Sequence, residues 1–290
     1  MRVSVVIPCY RSERTIESSL RALADQTFRD FEAVVVDSSP DDSTERMVRT
    51  RFPEVRYERS RTRLSPHAAR NRGATLADGE LIVFTDPDCF ARPDWLARLV
   101  AARERAGPIV GGGVEPAGAG WRVRGIHLCK FGPWAAHGAP GVRDTLPTAN
   151  LLWSRTAWDE VGPFTLLGWS RDTELCWRAR RAGYRLAFEP AAVVEHHHEP
   201  GMTRFWRERM VRGAAFAAMR ARVDGWSRGR AALGLVMTPA VPLILLARGM
   251  RDAARGGRLA PAVSTLPVQL AGYLAWALGE AGAHLARVRS

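Results

Sequence analysis

Asp86 and Asp88 stand one residue apart, just past the apolar run Leu81-Ile82-Val83-Phe84-Thr85. A short run of branched and aromatic residues predicts a buried strand. Pro87, which has no N–H to give a ladder, ends it. The two carboxylates are thus expected at the open end of a sheet, where α/β proteins place ligands. Two hard oxygen donors at this spacing can share one Mg2+ or Mn2+ and leave positions open for phosphate oxygens. The same pair also suits an ordinary acidic turn. A second group is the run His196-His197-His198. On a strand, His196 and His198 share one side and His197 faces the other. These read either as metal ligands or as hydrogen-bonded structural histidines.

The elements that must position these groups alternate along the first 110 residues. Val3–Ile7 predicts a strand. Ile16, Leu20 and Leu23 recur at helical spacing, with Ser12 as a candidate N-cap. Phe31–Val36 predicts a second strand, ending at Asp37, and Ser43–Arg51 a short helix. Val55–Glu58 suits a third strand and His67–Ala77 a helix stopped by Asp78-Gly79. Leu81–Thr85 and a helix over Trp95–Arg105 follow. This alternation implies an α/β fold with a mostly parallel sheet and covered faces. Residues 107–150 are rich in glycine and proline; a strand near Ile109–Val114 and a mobile loop around Phe131–Gly141 are expected there. Helices are expected near Arg155–Val161 and Asp172–Ala182, and short strands at Tyr184–Phe188 and Ala192–Val194.

Composition divides the chain in two. The formal net charge is +12, yet residues 1–200 hold 28 basic and 26 acidic side chains, whereas residues 201–290 hold 14 and 4. The excess lies where the apolar stretches also lie. Basic residues interleaved with apolar runs suit an anionic membrane surface, and no nucleic-acid partner is expected. Thr203–Arg222 reads as a basic amphipathic helix. Ala231–Ala247, with Pro239 and Pro242, is marginal for a spanning helix; Leu259–Ala286 is long enough. Four arginines between them (Arg248, Arg251, Arg255, Arg258) disfavour a simple hairpin and favour helices lying in the membrane plane. Four scattered cysteines without a CxxC pair argue against a structural zinc or a disulfide framework.

Several signals occur in a fixed order: Val5-Val6-Ile7-Pro8-Cys9-Tyr10, Val34-Val35-Val36-Asp37, Ala69-Arg70-Asn71-Arg72-Gly73, Phe84-Thr85-Asp86-Pro87-Asp88-Cys89, Ala149-Asn150, Trp158-Asp159-Glu160-Val161-Gly162-Pro163-Phe164, Asp172-Thr173-Glu174-Leu175-Cys176-Trp177-Arg178 and Val194-Glu195-His196. This series resembles the family 2 glycosyltransferases of GT-A fold, over about residues 3–200. The resemblance implies that Pro8, Tyr10 and Asp37 line the nucleotide pocket of a sugar donor. Arg70 and Asn71 would lie near the nucleotide and its phosphates. Asp86 and Asp88 would hold the metal and diphosphate, Asp88 more directly, joined by His196 or His198. Asp172 would be the base of a single inverting displacement, and it also suits a helix N-cap. Asn150, Glu174 and Arg178 are carried over as further substrate-binding positions.

Three positions depart from the family pattern, which usually has asparagine at Arg11, an acid at Ser38 and glutamate at Arg171. The expectation is a catalytic domain over residues 1–200 and a membrane-associating region over 201–290. The activity expected is glycosyltransfer from a nucleotide-diphosphate sugar, with Mg2+ or Mn2+, to a lipid-linked or polysaccharide acceptor. It would act at the cytoplasmic face of the cell membrane. The competing expectation is a catalytically silent binding relative of the same fold.

Overall fold

The structure is a computed structural model and describes residues 2–118, 120–166, 171–197 and 201–289. In chain order its elements are β1 (Val3–Cys9), α1 (Ile16–Ala24), β2 (Phe31–Asp37), α2 (Ser43–Arg51), β3 (Arg56–Arg59), α3 (Pro66–Leu76), β4 (Leu81–Thr85), β5 (Cys89–Ala91), α4 (Trp95–Ala106), β6 (Ile109–Pro116), α5 (Trp121–Phe131), β7 (Gly141–Val142), β8 (Asn150–Ser154), α6 (Arg155–Val161), α7 (Arg171–Arg181), β9 (Leu186–His196), α8 (Met202–Val223), α9 (Arg228–Met237), α10 (Val241–Arg255), α11 (Leu259–Ser264) and α12 (Leu266–Arg289). They form two units. The first comprises Met1–Ala117, Trp134–Leu166 and Arg171–His198; the second comprises Gly118–Pro133, Leu167–Ser170 and Glu199–Ser290.

In the first unit one sheet runs in the order β3-β2-β1-β4-β8-β6-β9-β5, with β7 paired to β9. β3, β2, β1 and β4 are mutually parallel. β8 enters antiparallel to both β4 and β6, so the sheet beyond β4 is mixed. The strands β1 and β4 are buried at every residue, the pattern expected when helices cover both faces. Val6, Val36, Phe84 and Trp153 point to one face and pack with residues of α3, α6 and α7, including Ala69, Trp158 and Leu175.

Pairing between β1 and β4 stops at Val6 and Phe84. β1 continues through Ile7, Pro8 and Cys9 along β2 alone, while Thr85 stays with Asn150 of β8. Pro8 therefore sits where β4 no longer asks β1 for a donor, so its missing N–H costs nothing there. The two strands part at the point where the strand order reverses, and a crevice opens beyond their carboxyl ends.

The second unit is helical. Ile126, Cys129, Phe205, Val268 and Tyr273 form its core. α8 and α12 cross at glycines. A Cβ on Gly213 would lie 2.1 Å from the Trp276 carbonyl oxygen, and one on Gly279 would lie 2.0 Å from that of Met210. This unit adds one element and corrects one expectation. The stretch after β6, for which no element was expected, contributes helix α5 to it. The stretch chosen as long enough to span, now α12, is a packed helix that buries Gln269, Glu280 and His284. The helical run long and apolar enough to cross a membrane is instead Arg228–Arg255, with hydropathy 1.8 and only 17% of its apolar window buried. Its prolines, Pro239 and Pro242, stand at first-turn positions, where a proline removes no hydrogen bond.

Candidate functional site

The carboxyl ends of the four parallel strands deliver the expected residues to one edge of the sheet. Tyr10 follows β1, Asp37 ends β2, Arg59 ends β3 and Asp86 follows β4. The register aligns Cys9 with Asp37 and Asp37 with Arg59. Burial pushes the Cys9 thiol well up, and Asp37, then Asp86 and Asp88, push it further.

Asp86-Pro87-Asp88-Cys89 is a β-turn, closed by the Cys89 N–H donating to the Asp86 carbonyl at 3.0 Å. Proline is favoured at its second position. After the turn, β5 pairs antiparallel with β9 and sets Cys89 opposite His196. The His197 N–H donates to the Asp88 carbonyl at 2.7 Å. His196 Nε2 consequently lies 3.8 Å from Asp88 Oδ2. Donor atoms of Asp88, Cys89 and His196 lie within 4.8 Å of one another. Burial, Asp86 and Asp88 all push the Cys89 thiol up. A carboxylate beside an imidazole suits a divalent ion such as Mn2+. His197 turns away and stacks on Phe90 with ring centroids 3.7 Å apart. His198 lies outside the described residues.

The other expected residues divide. Asp86 Oδ1 accepts a hydrogen bond from Arg70 Nη2, and Arg70, on α3, is only 4% exposed. Arg70 thus balances an acid of the site. Asp37 is 1% exposed. It accepts from the Ser39 N–H and hydroxyl at 2.8 and 2.6 Å and from the Tyr57 hydroxyl at 2.5 Å. Its carboxylate therefore shapes the Ser38-Ser39 turn at the end of β2.

Five further expected residues are likewise engaged within the protein. Asn150 is 0% exposed. It donates to the Gly113 and Ala192 carbonyls and accepts from Trp95 Nε1. With every polar atom engaged inside the sheet, it supports the fold and has nothing left for substrate. Asn71 exchanges two hydrogen bonds with the backbone of Phe164. Arg178 donates to Glu174 and to the carbonyls of Val161 and Pro163, and Glu174 also accepts from Thr165. These side chains fasten the segment between α6 and α7. Pro8 is buried in β1.

Asp172 lies in the first turn of α7, where its Oδ1 accepts from the Thr173 N–H at 2.9 Å. Its neighbour Arg171 donates to Ser65 Oγ at 2.9 Å, and Ser65 is the N-cap of α3. The start of α7 is therefore fixed to α3, whose Arg70 reaches Asp86. Ser65 and Arg70 are separated by five residues of helical rise, about 7.5 Å.

An open cleft of about 610 Å³ adjoins this edge, lined by Tyr10, Ser38, Ser39, Pro40, Arg59, Ser60, Arg61 and Arg63. Apart from Tyr10 and Ser38, these residues were not singled out from the sequence. The signal was present, because Arg59-Ser60-Arg61-Thr62-Arg63 places three arginines directly after a strand. Arg11 has φ of 51°, a left-handed conformation that asparagine tolerates best among side chains. That accounts for the asparagine usual in the resembled family. Here the Arg11 N–H is held by Ser39 Oγ at 2.8 Å.

Comparison with known proteins places this geometry. The chain is 29% identical to the glycosyltransferase AglE of Haloferax volcanii over 205 residues, 68% of this chain and 67% of that protein. Its fold matches the mannosyltransferase PcManGT of Pyrobaculum calidifontis, solved with GDP-Man and Mn2+. That match has a TM-score of 0.60 and 22% identity, over 92% of this chain and 74% of that one. It also matches residues 1–349 of S. aureus TarS, with a TM-score of 0.54 and 18% identity, over 94% and 89% of the two chains. Residues 4–156, more than half of the chain, match the model of glycosyl transferase family 2, and with the crevice and its acids in place the chain belongs to that family of enzymes acting on nucleotide-sugar donors.

Proposed function

We propose that this enzyme transfers a sugar with inversion from a nucleoside diphosphate to a hydroxyl of a glycan or lipid-linked acceptor. The observation that carries the reading is the meeting of Asp86, Asp88 and His196 at the crevice between β1 and β4. Asp88 and His196 would hold Mn2+ or Mg2+, the imidazole favouring Mn2+. When bound, the ion supplies positive charge to the departing diphosphate. Asp172 accepts the proton of the acceptor hydroxyl as its oxygen bonds to the anomeric carbon. The bond from that carbon to the diphosphate oxygen breaks, and its electron pair leaves on the diphosphate. Mn2+ in PcManGT and in GalNAc-T7, each solved with its nucleotide or nucleotide sugar, supports this assignment of the ion. Purified enzyme is expected to release nucleoside diphosphate from a nucleotide sugar in the presence of Mn2+, and chelation by EDTA is expected to stop the release. Undiminished release in EDTA would remove the ion from the proposal.

The second unit is proposed to hold the enzyme on the cytoplasmic face of the cell membrane. Leu233, Val236, Met237, Leu243 and Ile244 of α9 and α10 are exposed, Val236 by 73%. Arg228, Arg230, Arg248 and Arg251 flank them in the chain. Exposed apolar side chains between arginines suit an anionic lipid surface. The double substitution Val236→Glu, Leu243→Glu is expected to lower binding to phosphatidylserine vesicles at least about ten-fold, the transfer energy of one such side chain. Unchanged cosedimentation would exclude this face.

A further inference from the structure

We propose that the cleft beside Tyr10 selects guanine, so that the donor is a guanosine diphosphate sugar and Arg63 reads its base. The inference rests on the donor reading above and narrows it. Three strand spacings of about 4.8 Å separate β3 from β4, so the arginines after β3 lie about 14 Å along the sheet edge from the acids after β4. A diphosphate held at Asp88 and His196 does not bridge that gap; the nucleoside attached to it does, and brings its base to the arginines.

The lining of the cleft is one-sided. It holds three arginines, three serine hydroxyls, a tyrosine and a proline, and no carboxylate or side-chain amide. Asp37, the acid nearest in sequence, is buried and accepts from Ser39 and Tyr57, and Ser38 stands where the resembled family usually has an acid. Arg59 is engaged by Glu45 at 3.2 Å. Among the described residues, Arg61 and Arg63 have no carboxylate partner. The Arg63 guanidinium lies over the Tyr10 ring, 4.4 Å from its centroid. Stacking on a ring holds the guanidinium flat and leaves its N–H fork free in the plane.

A fork of N–H donors discriminates among bases. Guanine offers two adjacent acceptors, O6 and N7, which a guanidinium meets bidentately. Adenine sets an N6 amino donor beside N7, which meets the fork donor to donor. Uracil has no adjacent pair of acceptors to meet the fork.

The test is calorimetric titration of the full chain, with Mn2+, using GDP, UDP, ADP and 7-deaza-GDP. GDP is expected to bind at least about ten-fold more tightly than UDP or ADP, the discrimination of one good bidentate pair. 7-Deaza-GDP, which lacks N7, is expected to lose about the same factor. Arg63→Ala is expected to bring GDP down to the level of UDP while leaving UDP binding and the thermal melt unchanged. UDP binding as tightly as GDP, or 7-deaza-GDP matching GDP, overturns the guanine assignment alone. Equal weakening of all nucleotides by Arg63→Ala makes Arg63 a phosphate contact and likewise overturns it. Failure of every nucleoside diphosphate to bind overturns both this assignment and the donor reading beneath it.

Discussion

Asp172→Asn is expected to lower the rate of sugar transfer by about 10²- to 10⁴-fold, the range for loss of a general base, while donor affinity stays within about two-fold. The amide keeps the size of the carboxylate and still offers an oxygen to the Thr173 N–H, so the first turn of α7 is retained. What it loses is the capacity to take a proton. The acceptor hydroxyl would then have to attack while still protonated, and that deficit falls on kcat. In the proposed arrangement donor binding depends on Asp88, His196 and the cleft after β3, none of which the substitution touches. Measuring kcat with saturating acceptor, beside donor affinity by titration, separates the two effects. Normal turnover would remove Asp172 from the chemistry; a parallel loss of donor binding would make it a donor contact instead.

The parallel half of the fold was legible because its strands are continuous apolar runs ending in chemistry-bearing residues. Val3–Cys9, Phe31–Asp37 and Leu81–Thr85 each do so, and α3 and α7 lie within a residue or two of where helical spacing put them. In the mixed half β6 and β9 were legible, but β8 and β5 were not. β8, Asn150–Ser154, is five buried residues running straight into a helix capped by Ser154. So short a run has no period to separate strand from helix. β5 is only three residues long and owes its existence to β9. That pairing is what brings His196 to Asp88, and no local pattern encodes it. Side-chain direction was the harder problem. Asn150, Asn71 and Arg178 have the polarity of binding residues, and the motif they sit in marks them. Their hydrogen-bonding capacity, however, goes to backbone carbonyls far away in sequence. The arginines after β3 show the reverse case, a plain run of charge whose meaning comes from the ring of Tyr10 beside it.

Substituting the two acids of the turn one at a time is expected to divide folding from chemistry. Asp86 partners Arg70, a guanidinium 4% exposed whose Nε has no hydrogen-bond partner. Asp86→Ala therefore leaves a buried charge without its counter-ion, at a cost of about 3–5 kcal/mol. Against a total stability of about 5–15 kcal/mol, that is a large fraction. The melting temperature is expected to fall by about 5–8 °C. Removing the orphaned charge as well, with Arg70→Leu, is expected to recover most of the lost stability, because an apolar pair can replace a buried ion pair. Asp88 faces His196, and its backbone carbonyl keeps the His197 N–H whatever its side chain is. Asp88→Ala is expected to shift stability by no more than about 1 kcal/mol, as for partly exposed positions, and to abolish the Mn2+ dependence of donor binding. Melting curves of the three variants, each with and without Mn2+ and nucleoside diphosphate, carry the comparison. If Asp88→Ala melts as low as Asp86→Ala, the two acids belong to one structural network. If Asp86→Ala melts like the unaltered protein, Arg70 is not held by Asp86. The expected pattern, with ligand-induced stabilisation lost in Asp88→Ala at an unchanged baseline, requires the division of labour that the Asp-Pro-Asp turn sets up: one carboxylate turned inward to a buried arginine, the other kept for the ion.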